Sequence, residues 1–88
     1  MENKVKILIA ENNEFGQNCV REFSSYGYNT VLADKDGTQV LTKMKFEKPD
    51  VVIMDAFMLH IDAIGVIKQI RESKDGRKPI IIVLSSVD

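Results

Sequence analysis

The strongest constraint on this chain is its alternation. Three short, nearly continuous apolar runs, at residues 5–10, 51–54 and 80–84, and a β-branched and aromatic stretch at 28–33 are separated by segments with helical spacing. A run apolar at almost every position suits a strand covered on both faces, because a half-exposed strand would alternate polar and apolar residues. Strands that alternate with helices are joined by right-handed crossovers, which make the strands parallel and put helices on both faces of the sheet. The expected fold class is α/β, a doubly wound parallel sheet, in a single domain covering 1–88.

The segments between the runs carry their own start and stop signals. Phe15, Cys19, Phe23 and Tyr26 recur at helical spacing, with Asn12 or Asn13 as the cap and Gly27 as the stop. A turn is expected at 34–37, and a second helix faces inward through Val40, Leu41 and Met44 and must finish before Pro49. Asp62 caps a third helix whose inner face is Ala63, Val66, Ile67 and Ile70, and a polar loop centred on Gly76 follows it. The run at 80–84 carries the strongest buried-strand signal of the four.

Charge and cysteine content narrow the function classes. Twelve basic residues are interspersed among thirteen acidic ones, so this segment has no electrostatic footprint for direct nucleic-acid binding. The basic residues Lys68, Arg71, Lys74, Arg77 and Lys78 suit solvation and compensation of a helix dipole. Cys19 is the only cysteine, which excludes an internal disulfide and points to a reducing, cytoplasmic setting. No run approaches the length of a bilayer span, so no membrane partner is expected.

In open α/β sheets ligands collect beyond the carboxyl ends of the strands, where the winding reverses. The first strand exits through Glu11 and Asn12, the third through Asp55 and the fourth through Ser85. Oxygen donors converging from separate segments suit a hard cation such as magnesium. A carboxylate beside such an ion can attack a phosphoryl group, because the metal offsets the repulsion between two anions. Taken alone, Asp55 could simply cap a loop, Glu11 and Asn12 could serve only a helix start, and Ser85 could be a strand terminator. His60, the lone histidine, reads as a surface residue.

The strand end at 7–13, the segment Lys48-Pro49-Asp50-Val51-Val52-Ile53-Met54-Asp55 and the triplet Leu84-Ser85-Ser86 together resemble the receiver domains of response regulators. The loop at 55–63 looks most like that of the sporulation type, the stage zero sporulation protein A kind. This resemblance implies a flavodoxin-like (CheY-like) strand order 2-1-3-4, lacking the last helix-strand-helix. It implies Asp55 as phosphoacceptor and Ser85 as switch hydroxyl. The metal ligands it implies for Mg2+ are Glu11, Asn12, Asp55 and the backbone carbonyl of Phe57. The phosphoryl donor would be a histidine kinase or phosphotransfer protein, and the module would signal rather than catalyse, within a transcription regulator.

Departures from the family pattern set further expectations. Asn12 stands where a second aspartate is usual, which should weaken magnesium binding, and Leu59 and Ala63 replace a proline and a glycine. The family's lysine that neutralises the phosphoryl charge comes from a fifth strand, expected to be missing here. Phe57 and Val87 could shield an acyl phosphate from water. An exposed apolar fourth strand would favour self-association. The competing expectation is a pseudo-receiver that binds partners or dimerises without being phosphorylated.

Overall fold

The computed structural model describes residues 5–74 and 78–85. The expectations placed on Gly76, Arg77, Ser86 and Val87 lie outside the described residues.

Seven elements alternate as the sequence requires. They are β1 (Lys6–Ala10), α1 (Glu14–Ser25), β2 (Asn29–Ala33), α2 (Gly37–Glu47), β3 (Val51–Asp55), α3 (Ala63–Glu72) and β4 (Ile80–Leu84). All strand pairs are parallel and the order is β2-β1-β3-β4, the doubly wound arrangement expected.

Alternate residues of the two central strands feed two separate cores. Leu8, Ala10, Val52 and Met54 face α2 and α3, meeting Val40, Ala63, Val66 and Ile70. Ile7, Ile9 and Ile53 face the other way, against Cys19, Val20 and Phe23 of α1. Each fully buried aliphatic side chain stabilises the fold by roughly 1.5–3 kcal/mol, so β1 and β3 are the anchors of the molecule.

Local signals fix the ends. Asn13, not Asn12, caps α1: its Oδ1 accepts from the Gly16 N–H at 2.9 Å. Asp36 and Asp62 cap α2 and α3 in the same way. Lys48, at the C-cap of α2, takes left-handed backbone geometry at φ 49 before Pro49. At the far end of α3, Lys78 Nζ donates to the carbonyls of Ile70 and Ser73, the dipole compensation anticipated for this basic segment. The β1 and β3 entries are locked by Lys6 and Asp50, which exchange backbone and side-chain hydrogen bonds at 2.8 and 2.9 Å.

One expectation is corrected. The apolar run at 80–84 forms a strand but not a buried one: Ile80 is 65% exposed and Ile82 44%. Among the described residues only β3 pairs with β4, so the run lies at the rim of the sheet, the exposed fourth strand that the expected order 2-1-3-4 implies. Likewise Phe15 and Tyr26 share the helical spacing of Cys19 and Phe23 yet remain exposed.

Candidate functional site

The carboxyl ends of β1, β2 and β3 converge on one hollow. Asp55 closes β3 with a side chain only 4% exposed, and Glu11, the residue after β1, is 8% exposed. Both acids are buried because their strands are central and because α1 starts hard against the β1 exit. A Cβ on Gly16 would lie 1.5 Å from the Glu11 carbonyl oxygen, so only glycine allows this close approach. Asn13 also donates from Nδ2 to Glu11 Oε2 at 3.3 Å, so one residue caps the helix and steadies the acid.

The two carboxyl groups interact with each other and are pushed in opposite directions. Burial raises the Glu11 carboxyl above the ordinary range, with Lys35 opposing and the neighbouring Asp55 adding to the rise. Asp55 is held below the ordinary range, chiefly by the Phe57 backbone N–H, which donates to its Oδ1 at 2.8 Å. Lys35 and Glu11 reinforce that lowering against the cost of burial. Asp55 is therefore the more acidic of the two carboxyl groups.

The positions singled out from the sequence fall unevenly around this pair. Phe57 reaches Asp55 through its N–H, while its side chain is exposed and lines a groove of about 430 Å³ with Lys35, Met58 and Leu59. Ser85 is exposed and follows Leu84, the residue in register with Asp55, whose carbonyl accepts from the Ala56 N–H at 2.8 Å. That places Ser85 on the same rim. Asn12 is exposed, and its Nδ2 donates to Asp34 Oδ1 at 2.9 Å, tying the β1 exit to the β2 exit.

Lys35 is the site residue that sequence reasoning missed. Its Nζ lies 3.5 Å from Asp55 Oδ2, although its side chain is 47% exposed. It had been counted only as part of a turn. The available signal was its place just after a strand, at the edge of the sheet where ligands gather. What the sequence alone does not reveal is the contact: β2 pairs with β1 and not with β3, and only the packing of the loop after β2 against the loop after β3 brings the lysine to the Asp55 carboxylate.

A family model described as the response regulator receiver domain matches residues 7–88. This chain belongs to the response-regulator receiver family. It is similar to the probable transcriptional regulator ycf27 of Guillardia theta, with 36% identity over 100% of this chain and 34% of that protein. Among solved structures it resembles the receiver domain of the putative response regulator NarL from Mycobacterium tuberculosis, at TM-score 0.80 and 27% identity, over 98% of this chain and 69% of that one. It also resembles the receiver domain of sensor histidine kinase PA1611 from Pseudomonas aeruginosa PAO1, which has a magnesium ion coordinated in its active site cleft. That match has TM-score 0.74 and 27% identity, over 92% of this chain and 66% of that one. The chain spans about a third of the length of the curated relatives it matches.

Within this receiver the donor set suits a hard cation while being short of charge. Two buried carboxylates pressed together, one of them protonation-prone, are what a divalent ion separates and neutralises. No group of three His, Cys, Asp or Glu side chains is gathered for a metal among the described residues. Asp34 Oδ1 and Oδ2 are engaged by Asn12 and Gln39.

Proposed function

We propose that this receiver accepts a phosphoryl group on Asp55 from a phosphohistidine of a histidine kinase or phosphotransfer protein. The observation that carries this reading is the pairing of a charged, nearly inaccessible Asp55 with Glu11 and Lys35 at the carboxyl edge of the sheet. Asp55 Oδ2 attacks phosphorus, a P–O bond forms, the P–N bond breaks, and its electron pair returns to the imidazole of the donor. The Phe57 N–H holds Oδ1 and so fixes the direction in which Oδ2 points.

Glu11 and Asp55 would hold Mg2+, with Asn12 and the Phe57 carbonyl as further oxygen donors. When bound, the ion neutralises charge on the incoming phosphoryl oxygens. Ser85, on the same rim, supplies a hydroxyl donor to one of those oxygens. The exposed Phe57 ring covers the approach of water to the acyl phosphate, so the product should decay slowly.

The likeness to the ycf27 protein supports a place within a transcription regulator, and the free Cys19 accords with a cytoplasmic setting. No helix among the described residues is long and apolar enough to cross a membrane. The likeness to sporulation-type regulators rests on the residues of the loop at 55–63 alone.

The test is intact-mass spectrometry after incubation with acetyl phosphate and magnesium. The expected result is a mass increase of one phosphoryl group that vanishes in Asp55→Asn. A folded protein that never gains it would favour the second reading, a non-phosphorylated interaction module. That reading draws on the exposed Ile80, Ile82 and Val83 of β4, a surface suited to pairing with a second copy.

A further inference from the structure

We propose that Lys35 helps balance the charge of the phosphoryl group on Asp55, and that it links occupancy of the site to the loops beside it. This rests on Asp55 being the phosphoacceptor. Lys35 comes from the loop between β2 and α2.

The geometry gives Lys35 a fixed base and a half-exposed tip. Its carbonyl accepts from the Leu59 N–H at 3.1 Å, and the Gly37 N–H donates to the Leu59 carbonyl at 2.9 Å. Asp36, between them, forms a parallel bridge with Leu59. It also accepts from or pairs with His60 Nδ1 through Oδ2 at 3.0 Å. A second close approach seals this junction: a Cβ on Gly37 would lie 2.1 Å from the Ile61 carbonyl oxygen. The backbone of Lys35 is thus stapled to the loop that follows Asp55, while the half-exposed side chain can follow charge outward.

The direction of that movement follows from charge. In the resting site Lys35 lies beside the Asp55 carboxylate and within electrostatic reach of Glu11, and in the phosphorylated site it faces an acyl phosphate whose negative charge lies on the terminal oxygens rather than on the carboxyl group. The neighbouring acids do not compete strongly for it: Asp34 is held by Asn12 and Gln39, and Asp36 by Thr38 and His60. Lys35 follows the phosphoryl oxygens and pulls on a base that Leu59 shares.

A cation inside an acidic site also has a distinctive double effect. It opposes a second cation and favours an anion, so removing Lys35 should move magnesium and phosphoryl-mimic binding in opposite directions. A merely structural lysine would move both together.

The experiment is a titration of the whole protein with beryllofluoride in the presence of magnesium, followed by fluorine NMR, and with magnesium alone, followed by calorimetry. For Lys35→Ala we expect beryllofluoride binding weaker by roughly three- to tenfold, with magnesium alone bound as tightly or more tightly. Lys35→Arg should restore beryllofluoride binding, and the Leu59 amide signal should shift on binding in the native protein and much less in Lys35→Ala. Equal beryllofluoride affinity in the native protein and Lys35→Ala overturns the inference while leaving Asp55 as acceptor. Failure of the folded native protein to bind beryllofluoride removes the phosphoacceptor reading itself, and the role of Lys35 with it. Asp55→Asn, which should not bind, separates specific from surface binding.

Discussion

β3 and β4 run side by side in register and have nearly interchangeable compositions, Val-Val-Ile-Met-Asp against Ile-Ile-Ile-Val-Leu. Yet β3 is buried along almost its whole length and β4 is largely exposed. The difference teaches that apolar sequence makes a strand, whereas neighbours on both sides and both faces make it buried. It also explains the site: a carboxylate at the tip of β3 inherits a desolvated setting, while Ser85 beyond β4 inherits an open one.

The sharpest way to break this comparison is to truncate one side chain from each region. Met54→Ala, in β3, should lower stability by about 3 kcal/mol, because Met54 is fully buried and its loss leaves a cavity. Ile82→Ala in β4 should cost less than about 1 kcal/mol. Urea unfolding gives both values, and equal losses would show that β4 is as well packed as the centre.

Next in size is Gly16→Ala, expected to cost about 2 kcal/mol because the new methyl group collides with the Glu11 carbonyl. The same change should displace Glu11 and weaken magnesium binding, so a stable variant with unaltered metal affinity would argue against the tight β1 exit as a site-building device.

Smaller and pH-dependent is Glu11→Gln. Because burial raises the Glu11 carboxyl in the folded state, its contribution is fully present at low pH and is lost as pH rises through the folded value. Asp55 has the opposite sign: its contribution is present above the ordinary carboxylate range and is lost as pH falls through its lowered folded value. Glu11→Gln should therefore raise the melting temperature at neutral pH, with the gain fading towards acid. Thermal melts across pH would expose a gain that does not fade, which would place the cause outside this carboxyl.

The smallest effect on stability is expected for Ile82→Lys, within about 0.5 kcal/mol at an exposed edge position. Light scattering should nevertheless show less self-association, since a charge on an edge strand blocks pairing with a second copy. Unchanged association would move any contact between copies away from β4.

Much of this architecture was legible beforehand, and for identifiable reasons. Asp62 was read as a cap and is one, because a side-chain oxygen three residues before an N–H is a local matter. Asp55 was singled out because an acid ending an apolar run is costly unless something uses it. The capping choice between Asn12 and Asn13 was not legible, since both are chemically able and only the packing of Gly16 against Glu11 selects Asn13. Nor was the pairing of His60 with Asp36, which joins two loops far apart in the chain.

By itself the sequence determined the seven elements, their order and the parallel sheet, because spacing, caps and crossover handedness are properties of neighbouring residues. Tertiary structure alone decided that Asn13 caps α1, that Asn12 turns to Asp34, and that Lys35 reaches Asp55. Those outcomes depend on which strand ends become neighbours and how far a side chain can stretch between them. Distances of that kind are set by the assembled sheet and are written in no single stretch of the chain.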